Sequence, residues 1–188
     1  MDLIDLINTR RFLGSEFLTW LWFNVDCHDG LIELPEFGRI EVIFDDQLTL
    51  DAYLAETQRN DLRGGAPAYS PEAITALRQG KRPTKAKLRV IRDGREWAFV
   101  FKAEQFDLSG IKIPALLTEE ADEQFWERMY LIEELEDLVH ALYKQFLIAR
   151  LTPLWTERFT GAMQSWIESE EDPSPDDFPQ IELAAETA

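Results

Sequence analysis

Cysteine is nearly absent from this sequence. A single one, Cys27, excludes an intramolecular disulfide and any zinc site built from thiolates alone. Histidine is almost as scarce: His28 and His140 are the whole supply, and no ligand spacing stands out around them. Cys27 and His28 adjoin in the chain, which does not aim an imidazole at a thiol, and no third member of a triad is visible. No apolar run approaches about 18 residues, so no membrane-spanning helix is expected. No Lys/Arg-led apolar stretch opens the chain, so a secretory signal is not expected either. There is no Walker loop and no Gly-x-Gly-x-x-Gly, and Gly64-Gly65 reads as a flexible loop only. Cations are few, 19 Lys and Arg against 36 Asp and Glu, which sets the net charge at −17. No cofactor is expected.

What is present is core-building material. Of 188 residues, 45% are hydrophobic and 12% aromatic, too many for a disordered chain despite its acidity. The composition predicts a reduced, soluble, cytoplasmic α+β protein: one domain over residues 1–167 and an acidic, disordered tail over 168–188. The tail carries eight acids, no base, and Pro173, Pro175 and Pro179. Such a segment buries too little apolar surface to offset its ordering entropy, and acts either as a solubilising tail or as an interaction arm.

The patterning predicts an antiparallel sheet with hairpins, packed against a buried N-terminal helix and long C-terminal helices. Ser15 reads as the cap of a helix to about Phe23, apolar around nearly its whole circumference and therefore central. Ile32 and Leu34, then Ile40, Val42 and Phe44, alternate as strands do. Asp45-Asp46 reads as a short turn before a strand with Leu48 and Leu50, and residues 55–69 as a loop. Ser70-Pro71-Glu72 is a helix start, with Gly80 as the terminator. Asp93-Gly94 is a type I′ hairpin signal that pairs Val90 with Trp97, Leu88 with Phe99, Ala86 with Phe101 and Lys85 with Lys102. Thr118 reads as the cap of a helix of about thirty residues along Phe125, Met129, Ile132, Leu135, Val139, Leu142 and Phe146. Thr152-Pro153 resets the chain before a second helix carrying Trp155, Phe159, Met163 and Trp166. Helices with this much apolar surface suggest self-association.

The cations are clustered. Eight lie between Arg78 and Arg95 against one acid, Asp93, a local balance of +7 that leaves −24 for the other 170 residues. On the hairpin, Lys85, Lys87 and Arg89 fall on the face opposite the core pairs, about 6–7 Å apart, which is comparable to successive phosphates of one DNA strand. Arg78, Lys81 and Arg82 extend the patch along the chain. The plain alternative is a solvated sheet face whose lysines discourage edge pairing. Glu41, Asp45 and Asp46 near a strand end offer carboxylates of the kind a metal-dependent nuclease would use.

The segment Arg11–Phe23, ending Phe17-Leu18-Thr19-Trp20-Leu21-Trp22-Phe23, resembles part of the recombination-associated RdgC family. So does Ser70–Leu88, with Ser70-Pro71-Glu72-Ala73-Ile74-Thr75, Gly80-Lys81 and Thr84-Lys85 in order, followed by the Trp97–Phe101 strand and the helix with Leu131-Ile132-Glu133-Glu134-Leu135. The resemblance spans roughly residues 11–150 and corresponds to the C-terminal half of the family's longer members. It implies a non-catalytic protein that binds double-stranded DNA without sequence preference, as a ring-shaped homodimer at the nucleoid, and restrains a recombinase. A recombinase, or another chain supplying the family's N-terminal half, is then a candidate partner. The family's basic loop before the Ser70 helix corresponds here to Asp61–Gly65, which leaves Arg63 as its counterpart. The DNA-facing residues expected are therefore Arg63, Arg78, Lys81, Arg82, Lys85, Lys87 and Arg89. The alternatives are an acidic protein–protein interaction module without DNA binding and, third, a metal-dependent nuclease.

Overall fold

The computed structural model describes residues 3–52 and 59–169; the expected tail beyond 169 lies outside the described residues. The elements in chain order are α1 (Leu3–Cys27), β1 (Leu31–Leu34), β2 (Gly38–Ala52), β3 (Arg59–Arg63), α2 (Pro71–Arg78), β4 (Lys81–Arg92), β5 (Arg95–Lys102), β6 (Asp107–Lys112), α3 (Ala121–Leu151) and α4 (Thr160–Glu168). The described strands form one antiparallel sheet in the order β1-β2-β4-β5-β6, with β3 also paired to β2, next to β1 on its outer side. The fold is the expected α+β type, with the N-terminal helix packed on the sheet.

The hairpin register is the one its turn dictates. Asp93 and Gly94 both take positive φ, 51° and 75°, as a type I′ turn requires. Val90 then pairs with Trp97, Leu88 with Phe99, Ala86 with Phe101 and Lys85 with Lys102. The apolar members of these pairs are buried on one face. Against that face lies α1, whose Phe17, Leu18, Trp20, Leu21, Trp22 and Phe23 are all buried. Its inner side meets the sheet, Trp22 standing 5.9 Å from Phe44. Its outer side meets α3 through Phe17 and Phe146 (5.8 Å) and α4 through Trp22 and Trp166 (5.5 Å). The Phe17–Phe23 stretch of α1 is thus enclosed by the sheet, α3 and α4, with Thr19 half-buried among its apolar residues.

Four local expectations are corrected. Helix α1 starts at Leu3, and Ser15 is a buried mid-helix residue instead of a cap. Beside Ser15, Gly14 serves close packing: a Cβ there would stand 2.1 Å from the Ala103 carbonyl oxygen. Asp45-Asp46 is no turn, because β2 runs through it with an irregularity between Phe44 and Leu48. The loop expected over 55–69 contains β3, paired through Leu48 with Leu62 and Thr49 with Asp61; residues 53–58 lie outside the described residues. Ser70, by contrast, caps α2 as expected, its hydroxyl accepting from the Ala73 N–H at 3.2 Å. The long helix starts at Ala121, three residues after Thr118, whose hydroxyl instead donates to Glu123 at 2.7 Å.

Candidate nucleic-acid interface

Alternation along β4 sends Ala86, Leu88 and Val90 into the core and Lys85, Lys87 and Arg89 to the other face of the sheet. The pairing extends that face in rows. Lys85 stands between Thr49 on β2 and Lys102 on β5, while Arg89 stands between Ile43 and Ala98, with Lys112 beyond on β6. Arg63 joins the same face from β3, since its neighbour Leu62 packs against the core opposite Leu48. Four of the seven expected cations are therefore brought together on the face turned away from α1. Ile43, Ile91 and Val100 lie half-buried among them.

The other three are placed elsewhere. Arg78 ends α2 and reaches α4, its Nε donating to the Ile167 carbonyl at 2.7 Å and its Nη2 to that of Ser169 at 2.8 Å. A guanidinium on the last carbonyls of a helix satisfies orphan acceptors and complements the negative end of the dipole. Lys81 is buried, its Nζ donating to Asn60 Oδ1 at 2.6 Å. Lys81 and Arg82 line a cleft of about 400 Å³ together with Glu16, Thr19, Trp155 and Gln164. One run of basic residues in sequence is thus divided among several environments, because strand alternation and the α2 terminus point its members apart.

The remaining two cations of the run anchor the hairpin tip. Arg92 and Arg95 both reach the buried Glu134 of α3, at 3.1 and 2.8 Å. The Trp97 indole N–H donates to the Leu131 carbonyl beside them at 2.9 Å. Sequence reasoning missed this latch. The signal available was Glu134 on the buried side of α3, three residues after Leu131 and four before Leu138.

The electrostatics of the open face are those of exchangeable pairs. Lys87 Nζ lies 3.0 Å from Asp45 and 2.9 Å from Asp46, and Arg89 lies 3.8 Å from Asp45 and 3.4 Å from Glu96. The hydrogen bond from Lys87 holds the Asp46 carboxyl below the usual aspartate range and raises the Lys87 ammonium in return. Asp61 is lowered chiefly by the hydroxyl of Thr49, at 2.7 Å. Lys102 pairs with Asp107 at 3.2 Å. Among the described residues Lys85 has no such pair. Partly exposed ion pairs contribute on the order of 0–1 kcal/mol each, so another anion can displace these carboxylates.

Cys27 is buried, which pushes its thiol well up, and the His28 ring nitrogen Nδ1 lies 2.9 Å from the Asn24 carbonyl oxygen in the last turn of α1. His140 is exposed on α3. Asp45 and Asp46 carry the Lys87 ammonium between them. Among the described residues, no three His, Cys, Asp or Glu side chains stand close enough to hold a metal ion, and no helix is long and apolar enough to cross a membrane. No known family model matches the chain, and no curated protein matches it.

Proposed function

We propose that this protein is a non-catalytic DNA-binding protein of the RdgC type, and that it holds duplex DNA by its phosphates on the open face of the sheet. The observation that carries the reading is the gathering of Arg63, Lys85, Lys87 and Arg89, with Lys102 and Lys112, on one sheet face turned away from α1. Rows of cations on a pleated surface match a phosphate ladder, and each phosphate neutralised releases condensed counterions. Phosphate contacts carry no base information, so binding is non-specific in sequence. The carboxylates of Asp45, Asp46 and Glu96 act as an internal stand-in for phosphate: they keep the face folded and nearly neutral until DNA replaces them. At a net charge of −17 the rest of the molecule repels DNA, which confines binding to this face. Such a protein works at the nucleoid, alongside a recombinase.

A second reading has its own support. The same carboxylates already satisfy Lys87 and Arg89, so the face can equally be a self-neutralised surface of an acidic protein–protein interaction module. Neutral substitutions separate the two. Reversing Lys87 to Glu would set a third carboxylate beside Asp45 and Asp46, whereas Lys85→Gln, Lys87→Gln and Arg89→Gln remove phosphate partners without new repulsion at that depth. In a duplex-binding series at several salt concentrations, the triple variant is expected to lose about three units of the salt slope and most of its affinity. Arg158→Gln, at an exposed position after α3, is expected to change neither. Wild type that fails to shift DNA at low salt would leave the interaction-module reading in its place.

A further inference from the structure

The long helix outruns the body it packs on. Its buried positions begin at Leu131 and continue to Ala149, while its first ten residues carry none. On that overhang Phe125, Trp126, Met129 and Tyr130 are 56, 71, 49 and 60% exposed. Leu117 is 92% exposed, and it is held against the same turns because its N–H donates to Glu127 Oε1 at 2.8 Å. Phe125 and Trp126 rest edge-to-face, with ring centroids 5.3 Å apart. At roughly 150–250 Å² per aromatic ring, the five side chains leave on the order of 600 Å² of apolar surface in water. That is the upper end of a monomer's largest patch and close to the ~800 Å² each partner gives a standard interface.

The charges around the patch decide what covers it. Between Leu117 and Glu133 there are six acids (Glu119, Glu120, Asp122, Glu123, Glu127 and Glu133) and one base, Arg128, a balance of −5. DNA and anionic lipid headgroups are repelled by that rim. A second copy placed patch to patch would bring the same acids face to face, and the segment 170–188 is itself acidic. We infer that the overhang of α3 is a docking site for a different polypeptide, one that presents an apolar stripe flanked by lysine and arginine. Trp126 and Tyr130 are its anchors, because large aromatic side chains dominate such interfaces, and the acids supply steering and choice of partner. This surface is separate from the open sheet face, so it stands whether or not DNA binds there.

The test uses the full chain and a synthetic helix of about 18 residues, roughly five turns, with leucine on one face and lysine on the rest. Calorimetry with the wild-type protein is expected to give saturable micromolar binding. The double variant Trp126→Ala, Tyr130→Ala keeps every charge and the buried core, and is expected to bind at least about tenfold more weakly. An alanine/lysine helix and a leucine/glutamate helix are each expected to lose the interaction, the first for want of an apolar stripe and the second for want of opposite charge. Equal binding by the double variant, or by the leucine/glutamate helix, overturns the inference. So does sedimentation of wild type as a dimer that the double variant dissolves, since a second copy would then be the occupant.

Discussion

Glu134→Ala is expected to cost about 3 kcal/mol of folding stability, read as a lowered urea midpoint with an unchanged slope. Glu134 is 6% exposed, and its two carboxylate oxygens are divided between Arg92 and Arg95. Removing it leaves two guanidiniums at the sheet–helix junction without their shared anion. Arg95 is about a third exposed, and water rescues part of that loss, which places the cost at the low end of the range for broken buried pairs. Replacing all three at once, Arg92→Met, Glu134→Leu and Arg95→Met, is expected to be much milder, since no charge is then stranded. A single variant within about 0.5 kcal/mol of wild type, the usual reach of a surface change, would show that the latch contributes little.

Gly14→Ala separates two effects of opposite sign. In a helix interior alanine is favoured over glycine by up to about 1 kcal/mol, so propensity alone predicts a stabilised protein. The packing predicts the reverse. The added Cβ would meet the carbonyl oxygen of Ala103 at 2.1 Å, its carbon at 2.7 Å and its Cα at 2.9 Å, all backbone atoms that cannot rotate away. Helix α1 must then lift from the end of β5, where Phe17 and Phe101 lie 5.4 Å apart. A net loss of about 2 kcal/mol is expected, the overpacking cost outweighing the propensity gain. Thermal unfolding checks the sign: a raised midpoint would mean that α1 has room to move.

Local codes in the sequence were legible wherever a short segment determines its own geometry. The Asp93-Gly94 turn fixed four cross-strand pairs, Ser70-Pro71 fixed the start of α2, and the six apolar residues among Phe17–Phe23 announced a central helix. Failures came where tertiary packing reassigns a local signal. Ser15 carries the letter of a helix cap, but α1 runs through it, and its neighbour Gly14 packs on Ala103, 89 residues away from that glycine. Asp45-Asp46 carries the letters of a turn, yet β4 pairs along both sides of it and the Lys87 ammonium bridges the two carboxylates. Candidate site residues followed the same rule. Strand alternation correctly put Lys85, Lys87 and Arg89 together, and β3 brought Arg63 to them. Arg78 and Lys81 were grouped with these by sequence proximity alone, and a helix terminus and a buried position hold them instead. Charge density along a chain does not report which surface each charge reaches.

The central claim is that the open sheet face takes phosphates by displacing its own carboxylates, and amide and carboxyl NMR on the protein titrated with a short duplex reads it directly. Perturbations are expected along the outward-facing positions of β2, β3, β4, β5 and β6, weakening steeply as salt is raised. The Asp46 carboxyl, held low by the hydrogen bond from Lys87, is expected to titrate at higher pH once DNA takes that ammonium away. In the free protein the pair's contribution is present above the unfolded-state aspartate pKa and disappears as pH falls through the lowered one. With DNA bound, that loss should move upward in pH. Perturbations on the α3 and α4 side of the molecule, or an Asp46 titration indifferent to saturating duplex, would contradict the account.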